Sequence, residues 1–322
     1  KEGDTLLVLD GGSHSQKVAE ADILFTGKTV DGRKVRKISG KLIDVSDYRP
    51  DEAFLARFKP QFDTIADYVN RVIGTSGETI SSRDAYFGPS AFVDMIHSVQ
   101  LAITGADISF AAPLSFDVQI NKGPVTVGDM FKLYRFENML YTMKMSGEEI
   151  QKYLEYSYSE WLNTVKKPGD LLLKLRVGKD GKPVMVNGRA RFQNQPYNFD
   201  SAAGIDYTVD VSKPAGSRVH ITGMSDGRAF LKNKMYSVAV NSYRGNGGGG
   251  HFVYGAGITK NELRSRVIAS TDRDLRYYIM KYIEDRKTID PAPFNNWKII
   301  PEKLVSKEIP KEYVMLFGKK RN

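Results

Sequence analysis

The 322-residue sequence predicts an α+β protein in which mixed sheets are covered by helices. Three observations predict it. Short apolar runs at 5–9, 107–112 and 236–240 are bounded by Asp, Gly or Asn, as strands are at turns. Longer stretches between them repeat apolar residues every three or four positions, which is one face of a helix. Thr126 and Ser146 are each followed three residues later by an acidic residue, the box that satisfies the free N–H groups of a first helical turn.

Bulk properties narrow the function. Both charge signs are abundant, 47 basic against 38 acidic residues, for a net charge of +9. That surplus reads mainly as a solvated surface with some affinity for anionic ligands. No basic cluster interleaved with aromatics points to nucleic acid. No apolar run reaches the roughly 20 residues of a membrane span. The absence of cysteine excludes disulfides, thiolate metal sites and a cysteine nucleophile, but leaves the compartment open. His14, His97, His220 and His251 lie far apart, with no pair at metal-ligand spacing, so no two-metal hydrolytic centre is expected within this chain. The chain opens at Lys1 on a strand-like run and not on a signal peptide, so its start reads as a cut inside a longer protein.

In chain order, the runs 5–9 and 23–25 read as buried strands, followed by another at 35–45. Between 50 and 74, Phe54, Leu55, Phe58, Phe62, Ile65, Ala66, Val69 and Ile73 predict an amphipathic helix, bent or restarted at Pro60. A strand is expected over 74–82 and a helix over 90–104, started by Ser90 or Gly88-Pro89. A buried strand follows at 107–112. Thr126 caps a helix through Leu133, and Ser146 caps another carrying Ile150, Tyr153, Leu154 and Trp161. Residues 166–199, rich in Gly, Lys and Asn, read as a long polar excursion. Strands are expected at 204–210 and 216–222, helices at 262–269 and 274–283, and a terminal strand and tail from 296. There is no internal repeat.

The strand 236–240 runs into Asn241-Ser-Tyr-Arg-Gly-Asn-Gly-Gly-Gly-Gly-His251, which delivers Asn241 and Tyr243 to the rim of a glycine tetrad. Glycine tolerates positive φ and lets backbone N–H groups approach a ligand closely. Tyr243, His251, Phe252 and Tyr254 around the tetrad set it apart from a flexible linker.

Asn-Ser-Tyr-x-x-x-Gly-Gly-x-Gly resembles the signature loop in the C-terminal domain of 5'-nucleotidases and 2',3'-cyclic-nucleotide phosphodiesterases. The resemblance extends from about residue 75 to 285, and its weight lies in strand, cap and helix following in the family's order. It implies a layered fold like that C-terminal domain. It also implies that Tyr243 and Phe136 stack on a nucleobase while Asn138 bonds to its edge, because Phe136, Asn138 and Leu140 fit the family's Pro-Phe-x-Asn-x-Leu with Arg135 in place of proline. By the same resemblance Gly204 lies beside the ligand, Gly248 and Gly249 belong to the base loop, and Arg83 stands near the basic residues that reach the substrate.

The sequence departs from the family twice. Ala112-Pro-Leu-Ser-Phe116 replaces a Gly-Gly-Ile-Arg loop and its ligand arginine, and Gly249 occupies the acidic position of Gly-Gly-Asp-Gly. The implied organisation is the end of a truncated metallophosphatase domain at 1–48, an interdomain linker helix at 49–74, and a substrate-binding domain at 75–322. The implied function is substrate recognition for a periplasmic, cell-surface or secreted phosphoesterase of nucleotide catabolism. No cofactor is expected in this chain, with two divalent metals in the missing catalytic domain. Its partners would be a nucleotide or nucleoside and its own metallophosphatase domain. Two rivals stand beside this reading. One is a binding or structural module of the same fold that has lost its ligand. The other is a hydrolase using Asp10 with His14, for which no nucleophile–base constellation is evident.

Overall fold

A computed structural model of the chain describes residues 6–12, 14–30 and 33–318. It divides into two units, residues up to Ala66 and residues from Asp67 on.

The first unit is built on an antiparallel hairpin, Lys17–Val30 against Arg33–Asp44, whose register shifts between Phe25 and Thr29. The expected strand at 23–25 lies in this hairpin, but Ile23, Leu24 and Phe25 are exposed. The run 5–9 is not a strand over its described part, Leu6 to Leu9, because no strand among the described residues pairs with it and a ladder needs a neighbour. Thr5 lies outside the described residues. The helix Glu52–Asn70 crosses the division between the units and is continuous through Pro60. The ring removes one backbone hydrogen bond, and the good helix formers on either side outweigh that loss. Within this helix no residue is buried.

The second unit holds a five-stranded mixed sheet in the order Ser201–Ala203, Ile108–Ala111, Met235–Asn241, Met139–Ser146, Val267–Asp274. Ile108–Ala111 and Met235–Asn241 run parallel, and their neighbours run antiparallel to them. Met235–Asn241 is covered on both sides. Tyr236, Val238 and Val240 enter one apolar cluster and Ala239 the other, the two-residue alternation of a pleated strand. The first cluster includes Ile150, Tyr153, Leu154, Tyr158 and Trp161 of the helix Gly147–Trp161; the second includes Phe92, Ile96 and Val99 of Ala91–Thr104 with Leu275, Ile279 and Ile283 of Leu275–Arg286. The predicted class, mixed sheets covered by helices, is the observed one.

Local chemistry sets the helix starts. Both predicted capping boxes form, Thr126 with Asp129 and Ser146 with Glu149, and Ser90 caps Ala91–Thr104. Several boundaries differ from expectation. The strand over 74–82 is two pieces, Val72–Ser76 and Ile80–Ser81. The helix over 262–269 is Lys260–Arg266 and then becomes the strand Val267–Asp274, where β-branched Val267 and Ile268 suit the pleated edge of Met139–Ser146. The polar excursion 166–199 is irregular as expected, yet Leu172, Leu173, Leu175, Phe192 and Phe199 from it are buried in the core. The expected tail after the strand Trp297–Ile300 instead folds into the helices Glu302–Val305 and Ile309–Phe317.

Candidate functional site

The site forms at one end of the five-stranded sheet. Asn241 is paired opposite Leu140 in the antiparallel ladder, so the helical turn Ser242–Gly245 that carries Tyr243 and the segment before Met139 that carries Phe136 and Asn138 lie at the same end of the sheet. Ile108–Ala111 runs parallel to Met235–Asn241, so the loop that follows it, with Leu114, leaves the sheet at the same end. Carboxyl ends of parallel strands are where open sheets leave room for ligands.

A pocket of about 200 Å³ opens there, lined by Leu114, Phe136, Asn138, Tyr197, Asn241 and Tyr243. Phe136 is 37% exposed and Tyr243 44%, so neither ring is a core residue. Phe136 meets Tyr197 edge-on, with ring centroids 5.9 Å apart, and the Arg135 guanidinium lies 5.4 Å from its centroid. The Tyr243 ring rests against Gly248, where a Cβ would come within 2.5 Å of it. Asn138 Nδ2 donates to the Tyr134 hydroxyl at 3.5 Å. Burial raises the pKa of that phenol, so it stays protonated. The lining is therefore aromatic and aliphatic with two amides and carries no ionised side chain.

Beneath the pocket lies a buried ionic network. The Arg244 guanidinium donates through Nε and Nη2 to both oxygens of Asp200 at 2.9 and 2.8 Å, through Nη1 to Asn198 Oδ1 and the Gly248 carbonyl at 2.9 Å each, and through Nη2 to the Tyr197 carbonyl at 2.9 Å. The Tyr153 hydroxyl donates to Asp200 as well. Burial works against an ionised Asp200, but the Arg244 charge and these hydrogen bonds hold its carboxyl below the usual range. His251 lies with Nε2 2.8 Å from the Asn198 carbonyl and Nδ1 3.2 Å from the Gly249 carbonyl, of which a neutral ring donates to only one, and its pKa is depressed to about 3 by burial and by Arg244. His97, held between Ser109 and Ser201, is likewise pushed down to about 3 by burial. Both are neutral structural imidazoles.

Of the sequence-predicted residues, Phe136, Asn138 and Tyr243 come together in this pocket, with Gly248 under Tyr243. Three others serve elsewhere. Gly204 does not line the pocket; it has φ +91°, its Cβ position is filled by the Asp107 carbonyl oxygen, and it borders a separate groove with Asp206 and Thr208. Arg83 is held by Asp117 at 2.5 Å and lies over the Phe317 ring, so its charge is spent away from the pocket. Gly249, at φ +70°, leaves room for the Arg244 guanidinium and Asn198, which a side chain there would strike. Leu114, Tyr197 and the Asp200–Arg244 pair were not foreseen as part of the site. An Arg placed directly after the stacking Tyr was the one available signal.

Among the described residues no group of three or more His, Asp or Glu side chains could hold a metal ion. No helix among the described residues is long and apolar enough to cross a membrane.

The chain matches the family described as 5'-nucleotidase, C-terminal domain, over residues 72–255. It is similar to the trifunctional nucleotide phosphoesterase protein YfkN of Bacillus subtilis, 26% identical over 199 residues, covering 58% of this chain and 12% of that protein. It is also 26% identical over 286 residues to the 2',3'-cyclic-nucleotide 2'-phosphodiesterase/3'-nucleotidase of Salmonella typhimurium, covering 78% of this chain and 41% of that one. Its fold is similar to that of the 5'-nucleotidase precursor from Thermus thermophilus, with a TM-score of 0.57 at 20% identity, covering 89% of this chain and 50% of that one. The chain spans less than half the length of these curated relatives.

Proposed function

Because the chain belongs to the 5'-nucleotidase C-terminal domain family, we propose that it is the substrate-recognition part of a nucleotide phosphoesterase, holding a nucleobase between Phe136 and Tyr243. The observation that carries this reading is the neutral pocket in which two half-exposed aromatic rings share a wall with Asn138 and Asn241. Aromatic faces stack on any base, and amides bond to its edge, whereas an ionised group would be wasted on a neutral ring.

The phosphate ester then points out of the pocket toward chemistry supplied by another segment. Two divalent metals in a metallophosphatase domain outside this chain would polarise the ester and activate water. We assign residues 1–48 to the end of that domain, 49–74 to an interdomain linker and 75–322 to recognition. We assign the phosphoesterase to the periplasm, the cell surface or the secreted fraction, as the family resemblance implies.

Stacking on one aromatic is worth roughly 1–3 kcal/mol, so Phe136→Ala and Tyr243→Ala should each weaken adenosine binding about 5- to 150-fold with little change in melting temperature. Calorimetric titration and thermal melts on the same proteins test this. Unchanged affinity in both variants sinks the reading.

A further inference from the structure

The pocket's lining is neutral, yet a fully buried arginine, Arg244, is bonded to the Tyr197 carbonyl of its wall. Arg244 is 1% exposed, and all five guanidinium N–H groups have acceptors within the protein. None is left for a ligand. Its backbone N–H donates to Asn241 Oδ1 at 2.9 Å.

The three partners outside Asp200 and Asn198 belong to the pocket. The Tyr197 carbonyl fixes one aromatic wall. The Gly248 carbonyl fixes the backbone on which Tyr243 rests. The Asn241 side chain caps the short helix Ser242–Gly245 by accepting the Arg244 backbone N–H, a contact that does not depend on the guanidinium. Asp200, gripped by Arg244 and by Tyr153 of the helix Gly147–Trp161, ties this cluster to the covered face of the sheet.

A buried ion pair gives no assured gain in stability over apolar residues of the same volume, because both charges lose their hydration. Apolar replacements would also leave the Tyr197 and Gly248 carbonyls unbonded and their loops free to drift. We infer that Arg244 and Asp200 are the positioning pair of the base pocket, setting the places of Tyr197 and Tyr243 without touching the ligand. The inference rests on the base-binding reading above for what the pocket holds, but not for what the pair does to the pocket.

The test uses the full chain with Arg244→Lys, which keeps the charge but not the five-donor fork, and Asp200→Asn, which keeps the shape but not the charge. Glu312→Gln is the control, a buried carboxylate that accepts the Leu172 and Leu173 N–H groups away from the pocket. Adenosine affinity is measured by calorimetry below the melting onset of every variant, and Tyr197 and Tyr243 ring signals are followed by NMR with labelled tyrosine. Arg244→Lys and Asp200→Asn should weaken adenosine binding tenfold or more and shift or broaden both ring signals. Glu312→Gln should stay within twofold of the parent and leave both rings unchanged, even where its melting temperature falls as far. If the two pocket variants behave like the control, the inference is overturned. If the parent chain does not bind adenosine, the base-binding reading fails and the ring signals alone decide the positioning role. If neither pocket variant folds, Tyr153→Phe, which removes a single hydrogen bond from Asp200, is judged by the same two readouts.

Discussion

Asp94 shows how one buried group bends the pH response of the molecule. It is 2% exposed, accepts the Phe294 N–H at 2.9 Å, and burial raises its pKa from 3.8 to about 6. Below pH 3.8 both the folded and the unfolded chain hold the proton. Between 3.8 and 6 only the folded chain keeps it, so stability falls as pH rises through that window and stays lowered above it. The full effect is about 3 kcal/mol. Asp94→Asn keeps an acceptor for Phe294 and removes the charge. It should raise stability at pH 7.5 by about 1–3 kcal/mol and abolish the difference from the parent below pH 4. Urea unfolding of both proteins from pH 3.5 to 7.5 checks this, and a constant offset across the range would refute it.

At the scale of the element, the structure rewards reading ends over reading runs. The Ser146 hydroxyl accepts the Glu149 N–H at 3.2 Å while Glu149 accepts the Ser146 N–H at 2.7 Å, the reciprocal box that the two letters announce. Ser146→Ala should therefore cost about 1 kcal/mol of stability. Adenosine affinity should stay within twofold while the chain is folded. Chemical denaturation and titration on one preparation measure both. Caps are legible because they are local. The run from Leu6 was misleading because being a strand depends on a partner, and the helix Ile309–Phe317 was missed although Pro310 in its first turn and the spacing of Tyr313, Leu316 and Phe317 were available signals. In the pocket, Phe136, Asn138 and Tyr243 could be read because they fall in two short motifs, each next to the end of a strand that the apolar pattern marks. Leu114 and Tyr197 could not, since irregular loops place them through tertiary contacts alone. Nor could Asp200 be matched to Arg244, since no local period links residues so far apart.

At the scale of the whole molecule, the proposed function would divide recognition and reaction between this chain and a metallophosphatase domain outside it. The purified chain should hydrolyse no 5'-, 3'- or 2',3'-cyclic nucleotide, with or without added Mn²⁺, Zn²⁺ or Mg²⁺, because no metal-holding cluster forms among the described residues. Phosphate release is the assay, and chelator-sensitive turnover would contradict the division of labour.

The pocket also draws its six lining residues from separate stretches of sequence, between Leu114 and Tyr243. No short fragment can contain it, and it closes only when the segments flanking four neighbouring strands are in place together. An occupant of such a site has nothing to hold in the unfolded chain. Filling it at a hundred times the dissociation constant would deepen the native well by about 2.7 kcal/mol. The unit's resistance to unfolding would then follow the supply of its ligand.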